Sequence, residues 1–304
     1  MSSITWFHDL AVIGEMPVQQ AVAKLQELGE VEEAAALSSV HQGRSPKFGA
    51  SGLFEPKPWQ HTAHAFGYVA PGPPGSQAAT IQHAGNMAAD ISLKNNRIKI
   101  TLDRLRVAAY PGKGPHRVLF DFYAQNQVPG TIEHLHFNSC YRVLEGQEAG
   151  ITGYPIFIGL NVGSDGVAFR CFTVNVQNDN DEALLASMES DVFKSGLRLC
   201  ATLQPAIAPL SAMAVALTRN IAVRHRNVPV QDFYMGLDFT DVRFRARLAV
   251  GSYVAVQIPD SLVRVWDWRD WVYDPVNGQI VDKDDAMRLI PFNYVVFSVS
   301  AYEE

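Results

Sequence analysis

Residues 151–182 constrain the fold more than any other stretch. Two apolar runs, 154–162 and 167–176, flank the turn-forming Gly163-Ser164-Asp165-Gly166, and the acidic Asn178-Asp179-Asn180-Asp181-Glu182 follows them. Two runs of β-forming residues on either side of a Gly/Ser/Asp turn predict a hairpin. Neither run alternates cleanly, so apolar side chains fall on both faces. Strands covered on both sides carry this mark. The pattern predicts a hairpin in the middle of a sheet, with less apolar strands before and after it.

Those strands are found on both sides. In 97–102, Ile98, Ile100 and Leu102 alternate with polar residues. The phase then flips to Leu105 and Val107, which one extra residue explains, so a bulge is predicted near Asp103-Arg104. Segments 118–124 and 131–144 are the next strands. Later ones are predicted at 233–239, 253–258, 263–273, 280–282 and 294–302, with Asn277-Gly278 marking a tight turn. Helical spacing appears at 181–193 and 209–225, between the two sets of strands, and again at 17–28 and 30–40. Residues 42–77 are rich in Gly and Pro and predict irregular backbone that packs through Phe54, Trp59, Phe66 and Tyr68.

Together these segments predict a mainly β chain. Residues 81–304 form one large β-sandwich, in a C2-like or jelly-roll layout, with a two-helix insertion at about 181–227. Residues 1–80 form a helical N-terminal arm followed by the Gly/Pro-rich segment, placed to dock on a neighbouring copy.

Composition excludes several classes. A hydrophobic share of 47% and a charged share of 18% argue against disorder. A net charge of −6 offers no general field for nucleic acid. No apolar run approaches the ~20 residues of a membrane-spanning helix. The first residues lack a secretory layout. Cys140, Cys171 and Cys200 are odd in number and lie in apolar surroundings, which predicts reduced thiols and a cytoplasmic protein.

Chemistry-bearing motifs are sparse. His134 and His136 share one face of a strand, and with Glu145 they are the candidate ligands of a divalent metal. The pair resembles the His-x-His of cupins, but no histidine follows until His225 and Glu145 lies nine residues on. Alternation places Leu135, Phe137, Tyr141 and Val143 inward. His134, His136, Asn138 and Cys140 then lie on a solvent- or interface-facing surface. Cys140 and His136 are about 13 Å apart along the strand, too far for a nucleophile–base pair. His61 and His64 share a face only if their segment is helical. Asp165, Asp179 and Asp181 are candidate calcium ligands, against a capping-box reading of Asp179 with Glu182. Trp266, Trp268, Trp271 and Tyr273 are read as core packing, or as a partner surface because Asp267, Arg269 and Asp270 interleave with them.

No nucleophile, base and oxyanion donor assemble from these motifs. The expectation is a non-catalytic binding or assembly protein that works through protein–protein contacts, with a homo-oligomer or another protein as partner. The alternatives are a metal-dependent small-molecule enzyme built on the two histidines and a calcium-regulated membrane-binding sandwich.

Overall fold

The computed structural model describes residues 7–41, 56–73, 78–128, 131–151, 153–181, 184–186, 207–240 and 246–303. Two helices open it, α1 (Val18–Glu27) and α2 (Val31–His41). Gly29, at φ +80°, ends α1, and the Glu30 N–H closes the turn on the Leu25 carbonyl at 2.9 Å. Phe7, Leu25 and Leu28 bury their side chains in the chain's own core.

The chain is a β-sandwich. One sheet has seven strands: β1 (Ala63–Val69), β3 (Gln82–His83), β4 (Arg97–Val107), β7 (Gln147–Glu148), β8 (Tyr154–Asn161), β12 (Gly251–Ile258) and β15 (Tyr294–Ala301). The other runs β11 (Ala246–Arg247), β10 (Asn227–Asp238), β9 (Gly166–Val176), β5 (His116–Val128) and β6 (Thr131–Val143). Their inner faces meet through Phe297, whose ring lies 5.3 Å from Phe122 and 5.6 Å from Phe169. Each outer face is also covered. Helix α3 (Ile207–Ala222) lies on the five-stranded sheet, and Ser211, Ala214, Thr218 and Ile221, spaced at three or four residues, are buried there. A three-stranded sheet, β2 (Ala79–Thr80), β13 (Trp271–Asp274) and β14 (Gln279–Asp282), covers the other with Trp268, Tyr273 and Ile280. Of the two helices predicted in the insertion, most of the first lies outside the described residues.

The predicted bulge is present. Val296 pairs with Arg104 and Phe297 with Leu102, which leaves Asp103 as the extra residue. Ile98, Ile100 and Leu102 before it, and Leu105 and Val107 after it, are all fully buried.

Three local expectations are corrected. The stretch 154–176 is not a hairpin, because β8 pairs with β4 in one sheet while β9 pairs with β5 and β10 in the other. Residues 162–165 arch between the sheets. Within the segment predicted to be irregular, β1 pairs with β12 over seven residues. Phe66 and Tyr68 join the interior while Ala65 and Val69 face the small sheet, an alternation that the surrounding Gly and Pro obscured. No strand spans 263–270. Asp267 accepts a hydrogen bond from the Arg269 N–H at 2.9 Å, and this local bond turns the backbone away from the extended form.

One end of the interior is polar. Tyr110 Oη lies 3.0 Å from Thr173 Oγ1 and accepts from Gln231 Nε2 at 2.7 Å. Gln257, on β12, donates to the Val230 carbonyl on β10 at 3.1 Å and so ties the sheets together. His64, near this end, packs its ring 5.0 Å from Phe233, and burial pushes its pKa down to about 4. The unfolded chain therefore takes up a proton at this site below about pH 6.5, while the fold resists until about pH 4. Stability is expected to fall across that window by on the order of 2–3 kcal/mol from this group. Urea midpoints at pH 7 and pH 4.5 check it, and His64→Gln is expected to shrink the difference.

Candidate functional site

Strand β6 alternates as its sequence implies. Leu135, Phe137 and Val143 are buried toward the interior. The opposite face meets α3 rather than solvent, which corrects the expectation of an exposed surface. His136 is 1% exposed and Asn138 is fully buried. His136 Nδ1 donates to Asp121 Oδ1 at 3.0 Å, and Asn138 Nδ2 donates to Asp121 Oδ2 at 2.9 Å and to Thr218 Oγ1 on α3. The His136 backbone N–H reaches Ser211 Oγ at 3.3 Å. Ser211 and Thr218 stand seven residues apart on one face of α3, so two polar pins hold the helix on the sheet.

His134 is nearer the surface. Its Nδ1 lies 2.6 Å from Tyr123 Oη, and the Tyr123 ring lies 5.2 Å from that of His136. Desolvation first, and then the neighbouring His136, lower the His134 pKa, while burial raises that of Tyr123. Both groups are therefore held neutral near pH 7.

The structure brings His134 and His136 together and leaves Glu145 elsewhere. Glu145 follows the far end of β6, roughly 23 Å or more along the strand from His136, and lines a cleft of about 250 Å³ with Glu30, Glu33 and Lys113. Among the described residues, no three His, Cys, Asp or Glu side chains form a group that could hold a metal ion. Asp165 precedes β9 and Asp179 follows it, so eleven strand residues, roughly 35 Å, separate them. They do not form one site. Asp179 accepts from Arg117 at 2.8 Å, and buried Asp181 is paired with Arg224 and accepts from Asn227 Nδ2 at 2.6 Å. Glu182, the other half of the predicted capping box, lies outside the described residues. His61 and His64 are not on a helix. The first ends a 3-10 turn and the second begins the body of β1. Burial and the nearby Asp121 and Asp232 push the Cys171 thiol well up, so it is not a nucleophile near pH 7.

The tryptophan cluster divides. Trp268 and Tyr273 are 4% and 8% exposed and are packing residues. Trp266 and Trp271, which a strand over 263–273 would put on opposite faces, instead stack at 6.2 Å and 9° because of the turn at Asp267. Phe292 lies 5.9 Å from Trp266. Beside this half-buried stack, Val263 and Val265 are 50% and 69% exposed. Arg264 and Asp270 are exposed next to them, and Arg269 holds the Asp267 carboxyl down to about 2. Along 263–270, exposed valines and exposed charges of both signs therefore lie close in the chain.

The residue that sequence reasoning missed is Asp121. Its signal was present in Phe120-Asp121-Phe122, one acid inside an apolar strand, which buried polar groups tolerate only with partners. Among the described residues, no helix is long and apolar enough to cross a membrane. No family model, curated protein or solved structure matches this chain.

Proposed function

We propose that this chain is a cytoplasmic, non-catalytic binding and assembly protein that acts through protein–protein contacts, and that its partner is a second copy of itself. The observation that carries this reading is the exposure of Val263 and Val265 in the segment that leads into the stacked Trp266 and Trp271. Contiguous exposed apolar surface with a polar margin is unfavourable in water and is relieved by association. Arg264 and Asp270 carry opposite charge on one surface, so two copies related by a two-fold axis can pair each cation with the other copy's acid. His134 and His136, the pair with most chemical potential, support a non-catalytic reading because His136 is shut off from solvent beneath α3 and the His134 Nδ1 is taken up by Tyr123 Oη.

Sedimentation equilibrium at micromolar concentration is expected to give a dimer. Val265→Glu, at a position 69% exposed, is expected to give a monomer that melts as the wild type does when diluted below its dissociation constant. A wild-type protein that sediments as a monomer throughout this range rejects the reading.

A further inference from the structure

Strand β5 begins at His116, directly after the loop Pro111-Gly112-Lys113-Gly114-Pro115. Val118 pairs with Asn175 and Arg117 with Val176 on β9, which brings His116 level with Gln177 at the end of the ladder. Both amides reach the loop. Asn175 Nδ2 donates to the Pro111 carbonyl at 2.6 Å, and a Cβ on Gly112 would lie 3.4 Å from the Gln177 amide carbon. From the other side, Glu30 Oε1 accepts from the Gly112 N–H at 2.9 Å. The Tyr110 ring packs edge-on beside that of His116, 5.8 Å away. His116 and Asn175 are fully buried. Among the described residues, however, His116 Nδ1 and Nε2, Asn175 Oδ1 and Gln177 Nε2 are buried with no hydrogen-bond partner. Turning the Asn175 amide over does not help, because its oxygen would then face the Pro111 carbonyl. Burial lowers the His116 pKa and nearby Asn175 offsets this only in part, so the ring is neutral near pH 7.

We infer that an internal water-binding site lies beneath this loop, where one ordered water molecule joins His116, Asn175 and Gln177. A neutral imidazole offers one N–H and one lone pair, an amide oxygen accepts, and an amide nitrogen donates. Left unmatched in the interior, each of these groups carries its full desolvation cost. Water both donates and accepts, and a buried water typically makes about three bonds to such groups. One ring nitrogen of His116, Asn175 Oδ1 and Gln177 Nε2 supply that number. An ion of either sign is a poorer occupant, because these side chains carry no charge to set against it and burial disfavours an unpaired charge. The water gives the loop an inner support to match the outer one from Glu30, at the start of α2, and so links the helical hairpin to the interior. This site is separate from the tryptophan segment and does not depend on self-association.

A high-resolution crystal structure of the full chain tests the inference directly. It is expected to show one water about 2.7–3.2 Å from Asn175 Oδ1, Gln177 Nε2 and one His116 nitrogen. No density there, a side chain filling the place, or density larger than a water each overturns the site. Stability supplies a second test whose sign decides. His116→Phe keeps a ring but removes both ring nitrogens. In a dry site this discards two unmatched groups and raises the melting temperature. In a hydrated site it takes a partner from the water and loosens its hold on Asn175 and Gln177, so the melting temperature is expected to fall by about 2–4 °C. Gln177→Met, at a half-buried position, is the milder variant should His116→Phe fail to fold, and it carries the same sign. A fall supports the site, and a rise or no change overturns it. Val265→Glu is expected to leave the water in place, so failure here and failure of self-association are read separately.

Discussion

Asp121→Ala is expected to destabilise the protein by about 3–5 kcal/mol, a large share of the ~5–15 kcal/mol that holds a typical domain folded. The carboxylate is fully buried and receives His136 Nδ1 and Asn138 Nδ2 together. Its removal leaves two buried donors without an acceptor, each costing about 1–3 kcal/mol. The loss reaches α3, because Asn138 also bonds Thr218. Asp121→Asn keeps the shape and one acceptor and is expected to cost less. In a double-mutant cycle, His136→Ala with Asp121→Ala is expected to cost less than the two single changes added together, since each already breaks the same bond. Urea unfolding at pH 7 measures all three. A loss under about 1 kcal/mol for Asp121→Ala means that the network does not anchor the helix.

Short-range pattern carried the parts of this fold that were legible. The spacing of Leu25 and Leu28 located α1, the phase flip after Leu102 located the bulge at Asp103, and the alternation of Leu135 and Phe137 identified the inner face of β6. Each of these depends on neighbours within a few residues. The partners of distant strands leave no such mark. Nothing near 154–176 says that β8 bonds to β4 while β9 bonds to β5, because both outcomes bury the same apolar runs. The same limit applied to His136. Its alternation gave its face correctly, but the cover over that face comes from α3, some 75 residues later in the chain. At Trp266 and Trp271 the failure was local, since one Asx-type bond at Asp267 outweighed the strand propensity of the aromatics around it.

Gly166→Ala is the sharpest test of how far β9 stays paired with β10. Gly166 has φ +120°, a conformation L side chains rarely adopt, and a Cβ there would lie 2.0 Å from the Leu237 carbonyl oxygen and 2.7 Å from Asp238 Cα. These obstacles are backbone atoms of the paired strand β10 and cannot swing aside. Strain and overpacking together are expected to cost about 3–5 kcal/mol, which for a protein of this size lowers Tm by roughly 5–8 °C. Two other glycines calibrate the effect. At Gly163 a Cβ would meet the Gln127 side chain at 2.9 Å, and a flexible side chain can move, so Gly163→Ala is expected to cost less. At Gly236 the nearest atom is 3.8 Å away, and Gly236→Ala is expected to be neutral or slightly stabilising. Thermal melts of the three variants should fall in that order. If β9 did not pair with β10 as far as Asp238, Gly166 would be clear of Leu237, and Gly166→Ala would melt close to Gly163→Ala.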